Sequence, residues 1–502
     1  MTASPLQTRS RTIRDPIHGD VELTPLQAAI VDTRHFQRLR YIRQNGLLHF
    51  IFPGAVHTRF AHSLGTMEVA RRAFRHLVGG LRSNGSADAE LAYVETAFQL
   101  AALLHDVGHC AFSHAIEQVR IKGQPIFGTV AEFLGAWQQQ ELLALLQERA
   151  LQEPALPQEA PQERRPQGAG LAEGPALHEL IGLVLIRRIF TQARVRRAAG
   201  ALADELCTDI QALVHGGLPM SQRFRAAAGQ LWEQLASSQG VPATERADAA
   251  RQILQVLHEL ISGTLDVDRL DYLVRDSFHC GVPYGCCDVE FLLSSLRIGF
   301  AEGRAVLAVS EKAQHALEDM LWSRYQLFVQ VLHHKTNVGL NATLQQAMED
   351  AVRDARIELP DSEPRLLAFT DDYVMANIHR ASLLGELEDR SYTKALIDRR
   401  LPVHLGALSL VGVEPAAQEA RISEYKAQLA AAQQLSEADV WPAKARSNLI
   451  KPGALFLWAF QQRGRSETSC RNFEFSSLHG ALEHHVVHFF VDRDVCPAVD
   501  RG

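Results

Sequence analysis

The sequence predicts a mainly α-helical protein with a short N-terminal β-hairpin and a smaller C-terminal α+β appendage. Three observations predict it. Apolar side chains recur at helical spacing through much of residues 25–345, as in Leu26, Ala29 and Ile30, or Ile181, Leu185 and Ile189. Between Arg11 and Leu23 the turn pairs Asp15-Pro16 and His18-Gly19 precede the alternation Val21-Glu22-Leu23, the pattern of a hairpin. Beyond about residue 350, charged helices alternate with β-like runs such as 454–458 (ALFLW) and 485–491 (HVVHFFV).

Composition narrows the class. A chain of 502 residues exceeds one compact core, so a large domain with appendages is expected. A formal charge of −7 argues against broad, nonspecific nucleic-acid binding. Seven cysteines, an odd number without a C-x-x-C motif, suit a reducing compartment. The N-terminus lacks the apolar core of a signal peptide, and no apolar run reaches membrane-spanning length. The expectation is a cytoplasmic protein with no membrane partner.

Residues 1–10 read as a disordered tail. From Pro25 a helical pattern runs through Phe36, Leu39 and Tyr41 and stops at Gly46; most of its arginines, Arg34, Arg38, Arg40 and Arg43, read as a solvated face. A Pro53-Gly54 turn then leads into a second helix. His62 precedes Leu64 and Met67 there at core spacing, which alone reads as a buried structural histidine. Arg59, one turn earlier, could hold an anion.

The stretch HDVGHCAFSH, residues 105–114, closes an apolar helix over 96–104. On a continuing helix His105 and His109, four apart, share a face, and Asp106 stands beside His105. Imidazole nitrogen with carboxylate oxygen suits a divalent ion such as Fe, Mn, Zn or Ni, but two ligands do not complete a site. After a Gln-, Glu-, Pro- and Ala-rich region, within which residues 152–175 read as a flexible insertion, a helix resumes at His178. Near residue 268, Leu270, Leu273 and Val274 form an apolar side while Asp268, Tyr272 and Asp276 lie along another. A further helix over about 314–337 carries Arg324, His333, His334 and Lys335.

His62, His105-Asp106 and Asp268 together make the pattern H…HD…D. It resembles the HD superfamily of metal-dependent phosphohydrolases. More narrowly, DPIHGDVEL, DTRHFQRLRYIRQNG, FPGAVHTRFAHSLG, HDVGHCAFSH and DVDRLDYLVRD resemble stretches of deoxynucleoside triphosphate triphosphohydrolases, the vertebrate SAM-and-HD-domain enzymes above all. The resemblance covers roughly residues 11–340. It implies an HD-domain helical core over 11–345 and an appendage over 346–502.

It also implies roles. His62, His105, Asp106 and Asp268 match ligands of one divalent metal (Fe, Mn, Mg, Zn or Ni). Arg59, His109, Arg269 and Arg324 match triphosphate contacts. Gln44, Tyr272 and Asp276 match groups at the sugar. His114 and His178 match acid–base histidines, with Glu117 orienting His114. Asp32, Gln37 and Arg40 match the nucleotide-reading side of a regulatory site, although Arg14 stands where the family has Asn. Leu332 replaces an aromatic residue that packs on the deoxyribose, and Asn45 replaces an apolar one. The implied partners are a deoxynucleoside triphosphate substrate, a regulatory nucleotide and further copies of the chain in a dimer or tetramer. Two rival readings remain at this level. One is an HD phosphohydrolase acting on a nucleoside monophosphate, a cyclic nucleotide or an alarmone. The other is a catalytically weak nucleotide sensor or nucleic-acid-binding assembly protein.

Overall fold

Strands Arg11–Asp15 and Gly19–Leu23 pair antiparallel, with Ile13 opposite Val21. The chain then enters the helix Pro25–Val31, where Thr24 and Gln27 satisfy each other's backbone amides in a capping box. The structure, a computed structural model, describes residues 11–79, 81, 86–136, 177–241, 248–301, 303–448, 458–463, 467–472 and 483–495. The tail, the insertion at 152–175 and most of the run 454–458 lie outside the described residues.

The protein is mainly helical around one large apolar core. At its centre is the helix Arg59–Val78, buried on nearly every side. It packs against Ser86–Leu104 and Val267–Cys280, and Gly65 makes the second crossing close. A Cβ at Gly65 would collide with the side chains of Asp271 and Arg275. Gly108 serves the turn after Leu104 in the same way, since a Cβ there would strike the backbone of His178 and Gly182. Glycine at these two positions brings three segments close enough for their polar side chains to meet.

The C-terminal part is α+β. Strand Glu483–Val491 runs antiparallel between Val403–Ser409 and Val440–Asn448, and helix Pro415–Ala432 closes a small second core through Ile422 and Ala430. Strand Trp458–Arg463 does not join this sheet. It pairs in parallel with Arg304–Ser310 and antiparallel with Glu467–Asn472, so the late chain extends a sheet begun by the hairpin of Leu296–Ala301 and Arg304–Ser310. No helix among the described residues is long and apolar enough to cross a membrane.

Several local expectations are corrected. The helix ends at Leu104, and His105 to Ser113 form successive turns rather than a continuing helical face. The physical reason is the close passage of Gly108 against the His178 helix. The pattern from Pro25 to Gly46 is broken at Asp32-Thr33, where the Thr33 hydroxyl caps a new short turn, Arg34–Gln37. Arg38 is buried, donating to the Val107 carbonyl at 2.5 Å, so it does not belong to a solvated face. The helix from Gln314 stops at Leu327, passes through a π-turn over Phe328–Leu332 and restarts at Lys335, capped by the His334 side chain.

Candidate active site

His62 is buried inside the central helix, and its two ring nitrogens have different tasks. Nδ1 lies 2.7 Å from Asp271 Oδ2. Nε2 lies 2.9 Å from Asp268 Oδ1 and 3.4 Å from Asp106 Oδ2. His105 Nδ1 faces the Ala102 carbonyl at 2.8 Å, which leaves Nε2 turned toward Asp106 at 3.3 Å and Asp268 at 3.6 Å. The Nε2 atoms of both histidines are buried, and although carboxylate oxygens stand close, neither is aligned for a hydrogen bond. Two orphaned imidazole nitrogens converging on carboxylates fit a divalent ion, because neutral imidazoles and carboxylates are its ligands.

Donor atoms of His62, His105 and Asp268 all lie within 4.8 Å of one another. Asp106 touches the same imidazoles, but its Oδ2 is also paired with the Arg59 guanidinium. Burial opposes protonation of His62, yet Asp106, Asp268 and Asp271 overcome it and hold its pKa well above the usual imidazole value. A bound cation would take over the role of that proton.

A second cluster lies beside the first. Glu117 Oε1 accepts from the His178 backbone amide at 3.0 Å and meets His178 Nδ1 at 2.7 Å, while Oε2 meets His114 Nδ1 at 3.1 Å. His109 stacks on His178 with ring centroids 3.8 Å apart. The stacked pair is driven apart in acidity. Burial, then Arg59 and His178, push His109 well below its ordinary pKa. Burial also opposes protonation of His178, but Glu117 more than offsets it and the pKa is raised. The two stacked imidazoles are thus driven to opposite sides of the ordinary histidine value.

A cavity of about 370 Å³ opens onto both clusters. Arg59, Arg269 and Arg324 give it a cationic wall. Arg269 is braced by the Thr264 carbonyl at 2.5 Å, and Arg324 by the Tyr272 hydroxyl at 3.1 Å. Gln44, Tyr272 and Asp276 lie on the same cavity, as do Asn45 and Leu332. Gln44 Oε1 and Asn45 Nδ2 are buried without hydrogen-bond partners, an acceptor and a donor left unsatisfied beside the cavity. His109 lies behind Asp106, only 1% exposed, instead of lining the cavity.

Asp32, Gln37 and Arg40 lie elsewhere and are engaged within the chain. Asp32 pairs with Arg11 and Arg194, Gln37 donates to the Val31 carbonyl, and Arg40 sits 3.5 Å over the Phe60 ring.

Residues 59–165 match the family model of the HD domain. Over those residues the chain is similar to the HD domain. Deoxynucleoside triphosphate triphosphohydrolase SAMHD1 of Homo sapiens is 45% identical to it over 111 residues, 21% of this chain and 16% of that one. The Gallus gallus protein of the same name is 26% identical over 356 residues, 71% of this chain and 47% of that one. An uncharacterized protein of Methanocaldococcus jannaschii is 25% identical over 389 residues, covering 76% and 60%. Over such long matches the chain spans about half to three fifths of the length of its curated relatives. A phosphohydrolase crystal structure from Bacteroides thetaiotaomicron shares the fold, with a TM-score of 0.60, 21% identity and coverage of 97% and 100%.

Around the HD domain, the structure adds residues that motif reasoning did not assign. Asp271 holds the Nδ1 side of His62. It is itself held by His18 Nε2 at 2.6 Å and by Arg275 Nε and Nη2 at 2.8 and 2.9 Å. Arg275 reaches on to Asp15 at 2.9 Å. Asp15 and His18 were legible only as turn residues, and their partners stand more than 250 positions away. His57 similarly holds Asp276, at 2.7 Å.

A carboxylate on the far nitrogen of a ligand histidine fixes its tautomer and raises its basicity. Asp271→Asn is therefore expected to weaken metal binding by about 10- to 100-fold. Competition with a chromophoric chelator measures it, and unaltered affinity would show that His62 is oriented by other groups.

Proposed function

We propose that the chain is a metal-dependent triphosphohydrolase that cleaves deoxynucleoside triphosphates to the deoxynucleoside and inorganic triphosphate. The observation that carries this reading is one cavity in which a metal-type donor set, a wall of three guanidinium groups and the polar side chains of Gln44, Tyr272 and Asp276 lie together. The names of the vertebrate relatives support the same substrate class.

His62, His105, Asp106 and Asp268 are the residues that would hold the ion. Bound there, a divalent cation supplies Lewis-acid charge at the α-phosphate. Arg59, Arg269 and Arg324 hold the phosphate chain and offset its charge, aligning the α-phosphorus for attack by water. The bond from α-phosphorus to the 5′-oxygen breaks, and the imidazole cluster of His178 and His114 delivers the proton that the departing oxygen requires. Gln44, Tyr272 and Asp276 orient the sugar through its 3′-hydroxyl.

The test is product analysis by chromatography with Mn²⁺ and each of the four deoxynucleoside and four nucleoside triphosphates. Triphosphate together with deoxynucleoside supports the reading. Release of orthophosphate from a monophosphate, or opening of a cyclic nucleotide, would move the chain to another HD phosphohydrolase activity.

Sugar preference follows from the same cavity. Leu332 supplies bulk without a flat ring face, so a 2′-hydroxyl is excluded by limited room alone. Pockets of that kind reject an added hydroxyl by no more than about 10²-fold. We expect kcat/KM for dGTP to exceed that for GTP by roughly 10- to 100-fold. Equal use of the two sugars across all bases would reject the deoxynucleotide assignment and leave the phosphohydrolase standing.

A further inference from the structure

Phe112 and Ser113 have φ angles of 61° and 54°. This is left-handed backbone that a residue with a Cβ rarely adopts, and Ser113, with ψ of −131°, lies near territory that glycine alone occupies readily. Neither position is glycine. Such a conformation persists only where the surroundings over-determine it, and it collects at functional sites. The two residues lie between His105-Asp106 and His114, so their conformation decides where His114 emerges.

What holds them is a carboxylate from outside the HD domain. Asp371 opens the helix Asp371–Leu383 and is fully buried. Its Oδ1 accepts the Phe112 amide at 2.7 Å, and its Oδ2 accepts the Arg43 amide at 3.1 Å. The Arg43 carbonyl in turn accepts from the Ser113 hydroxyl at 2.8 Å, and Ser113 Oγ accepts from Arg59 Nε at 3.0 Å. One buried carboxylate thus clamps two backbone segments whose junction also seats the arginine facing Asp106. Position at the first turn of a helix favours the negative charge. Burial pushes the carboxyl up to about 6, opposed by the amides of Phe112 and Arg43, so near neutral pH both oxygens remain acceptors.

We propose that Asp371 is a positioning residue that holds the Phe112–Ser113 turn and thereby sets the placement of His114 in the active site. The inference rests, for its catalytic consequence, on the acid–base reading of His114. Asparagine has nearly the same shape but only one acceptor oxygen, so in Asp371→Asn one of the two amides faces an N–H group instead.

The experiment has two readouts on the full chain. Hydrogen exchange by mass spectrometry is expected to show the peptide containing residues 110–117 exchanging at least about tenfold faster in Asp371→Asn, with the Arg59–Val78 helix unchanged. Turnover of dGTP is expected to fall about 10²-fold, the scale of a small misplacement of a reacting group, with metal content retained. In a His114→Ala background the same substitution should cost much less, because residues acting as one unit are not additive. Unaltered exchange in Asp371→Asn would overturn the proposal, as would an undiminished fall in the His114→Ala background. If Asp371→Asn does not fold, Asp371→Ser, whose single hydroxyl cannot serve both amides at once, is put through the same comparison and judged by the same two outcomes. An unmodified chain that leaves dGTP intact would reject the proposed substrate, while the exchange measurement still decides whether Asp371 holds the turn.

Discussion

Asp106→Ala is expected to empty the metal position and to reduce turnover by about 10⁴-fold or more, since Lewis-acid charge is worth several kcal/mol to a phosphoryl transition state. Asp106 is 5% exposed and stands among Arg59, His62, His105 and His109. Burial raises its pKa, but Arg59 and the neighbouring imidazoles reverse that and hold it well below the usual carboxylate range. It is therefore a charged oxygen donor over the whole working pH range. Its removal leaves Arg59 buried without its carboxylate, and breaking such a pair destabilises by about 3–5 kcal/mol. Asp106→Asn keeps the shape and separates loss of a ligand from loss of the fold. Metal analysis beside a thermal melt decides between them. A variant retaining one equivalent of metal and full turnover would remove Asp106 from the ligand set.

His178→Ala is expected to lose roughly 10²–10⁴ in turnover while keeping its metal. The imidazole is anchored at Nδ1 by Glu117, which burial would make harder to ionise but which His114 and His178 keep far below the usual carboxylate range. In the proposed mechanism its other nitrogen serves the leaving group, and, against the opposition of burial, the neighbouring carboxylates raise its pKa in the direction that role requires. The loss should shrink on bis(p-nitrophenyl) phosphate, whose nitrophenolate departs without a proton. A penalty of equal size on both substrates would assign His178 to binding or to structure.

The helical class, the hairpin and the C-terminal α+β character were legible because each rests on local periodicity or on turn chemistry. The candidate ligands were legible for a different reason. His105-Asp106, His62 and Asp268 each sit in a short motif with unusual polarity for its apolar neighbourhood, and the resemblance joined them. What could not be read is whatever depends on two distant segments touching. The break after Leu104 follows from Gly108 passing the His178 helix, more than seventy residues on. Arg38 looked like one of four solvated arginines, and only its contact with the Val107 carbonyl explains its burial. Asp371 lies in a stretch without any catalytic motif, and its task becomes visible only beside the strained Phe112–Ser113 turn.

The bond between Asp15 and Arg275 spans 260 residues, and this separation orders events during synthesis. A ribosome adding about 5–20 residues per second needs roughly 13–50 seconds to travel that distance. During that interval the N-terminal hairpin has left the exit tunnel while the helix that neutralises Asp15 does not yet exist. The hairpin is therefore made long before the helix that completes it, and the Asp15 carboxylate stays in water until Arg275 arrives.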